Sequence, residues 1–197
     1  MRLTSVLLFG SACLAAGCAS HSVSNVEAPP GFDATIEQDL GSFFKFDLDP
    51  NGLIYIGGQP SQEAVEQFAA LDGRIVVNLK TDDEMAELPD YEQRVEEQGL
   101  EYLHLPTAAS QLGTGSAEDF RAVMDQLPFP RGPMLVHCQG SGRALYAVAM
   151  DQVEAGNMSV AEAITWTRSA RGGVDWAPGV AAIRSVGRQK ALRERGQ

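Results

Sequence analysis

The sequence predicts an α/β fold, a mostly parallel central sheet with helices on both faces, built around a cysteine in a Gly-rich, anion-cradling turn. Three observations predict it. Short apolar runs at 74–80, 100–105 and 134–136 read as sheet strands, the first apolar enough to be buried on both faces. Amphipathic helical stretches alternate with these runs, the order that builds parallel sheets. Third, residues 133–144 run as strand, Gly-rich turn and helix, with Cys138 at the turn. Such a turn aims backbone N–H groups at an anion, with a helix dipole behind them, at the C-terminal edge of a strand where α/β sheets bind ligands.

The elements follow in order. Residues 18–42 hold His21, Ser22, Ser24, Asn25, Pro29, Pro30 and Gly31 and few large apolar side chains, so they read as a flexible tether with a weak helix near Thr35–Leu40. Packing begins at Phe43. Asp49-Pro50-Asn51-Gly52 is a turn signal that pairs 43–48 with Leu53–Ile56 as a hairpin. Gly57-Gly58-Gln59-Pro60 breaks that strand, and Ser61 caps a helix presenting Val65, Phe68, Ala69 and Leu71 on one face. Asp72-Gly73 leads into the strand at 74–80, followed by the acidic loop Thr81-Asp82-Asp83-Glu84.

A helix over Pro89–Gln98 with Tyr91 and Val95 inward stops at Gly99, before the strand over Leu100–Leu105. Thr107–Gly115 is a small-residue loop, and Ser116 opens a helix through Phe120, Val123, Met124 and Leu127. Pro128, Pro130 and Pro133 stiffen the approach to the Cys138 strand. The helix after the Cys138 turn runs through Val153. Ser159-Val160-Ala161-Glu162 is a capping box, and the helix it opens carries Ile164 and Trp166 up to Arg171-Gly172-Gly173. A last helix spans about Pro178 to Leu192. Arg168 and Arg171 cover a helix C-terminus, with a second anion site as the alternative.

Composition bounds the function. The 197 residues are 44% hydrophobic and 21% charged, enough apolar material for one core-forming domain. A net charge of -11 without a Lys/Arg cluster argues against a nucleic-acid partner. His21, His104 and His137 are scattered with no ligand spacing, so no metal and no cofactor are expected.

Arg2 and the apolar run Leu3–Leu14 form an export signal too short to span a bilayer. Its end, Leu14-Ala15-Ala16-Gly17-Cys18, resembles a bacterial lipobox. That resemblance implies removal of residues 1–17, lipidation of Cys18, and a periplasm-facing outer-membrane lipoprotein whose only membrane contact is its lipid. Cys138 is then the one free thiol, since Cys13 leaves with the signal. Without a partner cysteine it cannot form an intrachain disulfide, and its place on the turn points to chemistry. N–H donors, the helix dipole and Arg143 at such a turn all favour the thiolate form.

Several stretches agree with one family in the same order: Gly58-Gln59-Pro60-Ser61, Asn78-Leu79-Lys80, Asp83-Glu84, Tyr102–Pro106, and Val136-His137-Cys138 through Arg143. Residues 45–155 thereby resemble the protein-phosphatase-like domain of the bacterial beta-lactamase-hydrolase-like family, a relative of dual-specificity and tyrosine phosphatases. The resemblance implies a phosphatase-like domain over 43–193. It implies Cys138 as nucleophile and Arg143 as oxyanion ligand, with His137, Gln139, Gly140, Ser141 and Gly142 holding the substrate.

Four residues separate Cys138 from Arg143, one fewer than in the phosphatase motif and the same as in rhodanese-like sulfurtransferases. Ser141 stands where glycine is usual, so positive φ is expected at Gly140 or Gly142. Ala144 replaces the usual Ser/Thr. The loop Thr107-Ala108-Ala109-Ser110 lacks the family's general acid, leaving Asp83, or its neighbours Asp82 and Glu84, to supply a proton. Three functions follow: a cysteine-dependent phosphatase-like hydrolase, a sulfurtransferase carrying a persulfide on Cys138, or a catalytically weak anion- or partner-binding domain. The expected partner is a phosphorylated or sulfur-containing small molecule or protein.

Overall fold

The computed structural model describes residues 32–37, 43–48, 52–113, 115, 117–119, 121–122 and 133–196. The signal at 1–17, Cys18 and much of the helix opened by Ser116 lie outside them. Strands β1 (Phe32–Glu37), β2 (Phe43–Leu48), β3 (Gly52–Gly57), β4 (Ile75–Asn78), β5 (Glu101–His104) and β6 (Met134–His137) form one sheet in the order β1-β2-β3-β6-β4-β5. The two pairings β1–β2 and β2–β3 are antiparallel, and β3, β6, β4 and β5 run parallel. The hairpin over 43–56 is as the turn signal predicts. One strand was read otherwise: Phe32–Glu37 pairs with β2 and is neither tether nor helix. Its alternation of Phe32, Ala34 and Ile36 with Asp33, Thr35 and Glu37 is the period of a strand, so the folded part starts before residue 43.

The strands divide the apolar side chains between two cores. On one face Ile54, Ile56, Ile75, Val77, Met134 and Val136 pack under α4 (Gly142–Ala155), α5 (Val160–Ala170) and α6 (Ala177–Arg195). On the other Tyr55, Val76 and Leu135 pack under α1 (Gln62–Ala70) and α3 (Tyr91–Glu96), against Val65, Phe68, Tyr91 and Val95. Period-2 alternation inside an all-apolar run is why these strands must be covered twice.

Local signals set the helix starts. Ser61 accepts from Ala64 N–H, and Ser159 and Glu162 close a capping box. Thr81–Glu84, read as a loop, is a second capping box opening the one-turn helix α2 (Asp82–Met85). Among the described residues no helix is long and apolar enough to cross a membrane.

This topology makes the site. β6 lies between β3 and β4, with His137 in register with Gly57 on one side and Asn78 on the other. The ladder continues one step further: Cys138 N–H donates to Gly57 C=O (3.3 Å) and Leu79 N–H to His137 C=O (2.8 Å). The loops leaving β3 and β4 therefore flank Cys138.

Candidate active site

Cys138 is 1% exposed and packs into the larger core. Gln139 and Gly140 after it are exposed, and Ser141 precedes α4. The Gln-Pro-Ser segment forms one wall. Gly58 bridges Gly140, Gln59 N–H donates to Gln139 C=O at 3.3 Å, and a Cβ on Gly58 would stand 3.2 Å from that same carbonyl. A glycine at 58 lets the two backbones approach.

The positive φ falls on Ser141, not on either glycine. Ser141 sits at φ 68°, ψ -30°, and Gly142 N–H turns back to Gly140 C=O at 2.9 Å. The expectation that glycine supplies the left-handed residue is thus corrected. A loop of this length must reverse immediately before the helix, and the reversal lands on residue 141. The tight turn resembles a γ-turn and takes Gly142 N–H out of the cradle. The N–H groups of Arg143 and Ala144, in the first turn of α4, have no intrahelical acceptor and remain for an anion.

Arg143 ties the loops together. Its Nη1 donates to Leu79 C=O (3.2 Å) and Thr107 C=O (2.9 Å), and its Nη2 donates to Glu84 Oε1 at 2.6 Å. Burial opposes the charge, but the bonds to Glu84 and the Cys138 side chain outweigh it and hold the guanidinium above its ordinary pKa. The bond from Arg143 brings the Glu84 carboxyl down to about 2, aided by Thr81 and opposed by burial. Glu84 uses its other oxygen to accept from Thr81 N–H at 2.8 Å. Both oxygens are engaged and the group stays ionised, so Glu84 is an anchor for Arg143 and not a proton donor. Its capping-box position is the sequence signal for that anchoring.

Among the described residues, neither of the remaining acids of α2 pairs with Arg143. Asp82 Oδ1 lies 3.9 Å from His104 Nδ1. Asp82 and Asp83 are exposed and line an open depression of ≈ 280 Å³ with Thr81, Pro106 and Gln111. The loop over 107–111 is held at Thr107 by Arg143 and contains a 3-10 turn over Ala109–Gln111.

His137 is fully buried. Its Nε2 is 3.1 Å from Tyr91 Oη, and among the described residues Nδ1 has no hydrogen-bond partner. Burial brings the imidazole down to about 3, so it is neutral near pH 7, while burial also pushes the Tyr91 phenol up. His137 therefore braces the strand end and does not reach an exposed ligand.

Lys80 and Gln59 were not read as functional beyond their place in the family pattern. Lys80 is 2% exposed, and its Nζ donates to Gln59 Oε1 at 3.1 Å. Burial lowers its pKa, against the attraction of Glu84 and Glu87. The lysine thereby links the loop after β4 to the wall formed by Gln59.

Solved structures share this fold. A DUF442 protein of Shewanella putrefaciens CN-32 superposes with TM-score 0.57 at 23% identity, covering 74% of this chain and 89% of that one. PTPMT1, solved in complex with PI(5)P, gives 0.59 at 16% identity over 72% of this chain and 94% of its own. TpbA of P. aeruginosa gives 0.58 at 19% identity over 82% and 98%. The chain has a protein-tyrosine-phosphatase-like fold.

The phosphatase-like fold agrees with the sequence relatives. Beta-lactamase hydrolase-like proteins of two Xylella fastidiosa strains, Temecula1 and 9a5c, are 33% identical over 115 residues, or 56% of this chain. The resemblance read from the sequence thus stands. The chain spans about a quarter of the length of these relatives, 26%. No protein-family profile matches it.

Proposed function

We propose that the chain is a cysteine-dependent phosphatase-like hydrolase acting on phosphate monoesters. One observation carries the reading: the thiol directly follows β6, and the first turn of the next helix carries the arginine that the connections after β4 and β5 converge to hold. The Cys138 thiolate forms an S–P bond as the ester P–O bond breaks. The leaving oxygen takes a proton. Water then attacks phosphorus, the S–P bond breaks, and phosphate and the thiolate are released. Arg143 and the free N–H groups at the start of α4 hold the phosphoryl oxygens. Of the three acids on α2, Glu84 is committed to Arg143 and Asp82 faces His104, which leaves Asp83 as the proton donor.

The test compares the wild type with Cys138→Ser. Phosphate release from an aryl phosphate, lost in the variant, supports the reading. The tight Ser141 turn favours a second one, sulfur transfer, because a narrow loop suits a single sulfur atom. Thiocyanate formation from thiosulfate and cyanide, lost in the variant while phosphate release is absent, would replace the first reading by the second. The substrate is a phosphorylated small molecule or protein.

The proposal includes location. Cys18 carries a lipid that holds the domain at the outer membrane, facing the periplasm, as its lipobox-like setting supports. Cys18→Ala should move the protein out of the membrane fraction; an unchanged fraction would overturn this part.

A further inference from the structure

Arg168 and Arg171 share one helix end but serve different ends. Arg168 forms a fork with Asp175, Nε to Oδ1 at 2.8 Å and Nη2 to Oδ2 at 2.6 Å, on the surface. Arg171 turns the other way. Its Nη1 lies 3.5 Å from where a Cβ on Gly142 would be, the nearest neighbour of that glycine outside its own helix. Among the described residues, Arg171 Nε is buried without a hydrogen-bond partner and no carboxylate pairs with its guanidinium.

The position is fixed from both sides. Arg171 caps α5, and Gly172 and Gly173 follow at φ 65° and 88°, bending the chain sharply. That bend is tied to α4, because Trp176 N–H donates to Tyr146 Oη at 3.2 Å and the two rings pack with centroids 5.3 Å apart. Two arginines therefore border the start of α4, Arg143 within its first turn and Arg171 against Gly142. Arg143 already has a carboxylate partner in Glu84, and among the described residues Arg171 has none.

An unpaired guanidinium placed half-buried costs free energy unless an anion completes it. One phosphoryl group in the cradle is already served by Arg143 and the helix N–H groups. We infer that Arg171 binds a second anionic group, so that the site selects phosphate esters carrying another phosphoryl or carboxylate group close to the first. This rests on the proposed phosphatase reading for the word ester, but the second anion site is testable without turnover. Arginine suits the role because its planar fork grips an oxyanion with two parallel donors.

The test measures binding of inorganic phosphate and pyrophosphate to the Cys138→Ser chain by calorimetry, with and without Arg171→Ala. The expected result is at least a ten-fold loss of pyrophosphate affinity in the variant with a much smaller loss for phosphate. Equal losses for both anions, or no change, would overturn the inference. Arg171→Lys, which keeps charge and bulk but not the fork, covers the case in which the alanine variant fails to fold, and it should show an intermediate loss confined to pyrophosphate. Absence of phosphatase activity in the wild type, with pyrophosphate selectivity intact, would sink the hydrolase reading and leave the second site standing.

Discussion

Glu84 Oε1 lies 2.6 Å from Arg143 Nη2, and the other oxygen of the same carboxylate closes the cap of α2 at Thr81. One side chain thus fixes both the helix carrying the candidate acid and the arginine of the candidate cradle. Glu84→Ala should cost about 1–3 kcal/mol of stability, the range for a lost charged hydrogen bond. It should also weaken phosphate binding, because Arg143 loses its only carboxylate anchor among the described residues. Denaturant unfolding and calorimetry on the same variant check both.

Acid should expose the same pair. The folded Glu84 pKa is held at about 2, below the 4.5 of an unpaired carboxyl. Its stabilisation is complete above about pH 4.5 and is lost as pH falls through the folded value near 2. The contribution is at most about 3 kcal/mol at 1.36 kcal/mol per unit. Glu84→Gln should flatten that part of the stability profile relative to wild type, and an identical acid slope would contradict the pairing.

His137 governs a different window. Its folded pKa is about 3 against 6.5 when unfolded. The unfolded chain therefore takes up a proton that the folded chain refuses, and stability declines as pH falls below 6.5 and continues down toward 3. The slope approaches about 1.4 kcal/mol per pH unit. His137→Gln should remove the decline between pH 6 and 5, where Glu84 contributes none.

Ser141→Gly should stabilise. A left-handed residue with a Cβ costs about 1 kcal/mol, which glycine avoids. The urea midpoint should rise, and a fall would mean that the Ser141 hydroxyl outweighs the strain.

Asp83→Asn tests the proton donor. If Asp83 protonates the leaving oxygen, turnover of an alkyl phosphate should fall about 10²–10⁴-fold. An aryl phosphate, whose leaving oxygen needs less help, should lose less. Equal losses on both would place the residue outside that step.

Much of this was legible in the residues. The apolar runs located β4 and β6, and Ser159–Glu162 located the start of α5, because both signals are local. The Cys138 loop was legible as strand, turn and helix. Three features were not. Phe32–Glu37 looked like tether because its alternation is short and lies beside prolines and glycine. The partner of Glu84 was hidden because Arg143 is 59 residues away, joined to it only by the sheet. Arg171 meets Gly142 only through the packing of α5 on α4, which no spacing in the sequence encodes.

The 1% exposure of Cys138 has a kinetic consequence. The sulfur is buried beside the exposed Gln139 and Gly140, so the fold should screen thiol reagents by size. Hydrogen peroxide should modify the folded protein far faster than its bulk thiol reactivity relative to a large maleimide would suggest. The gap should close on unfolding. In an oxidising compartment such a filter leaves the smallest oxidants as the main hazard to the thiol and bound anions as its natural shield.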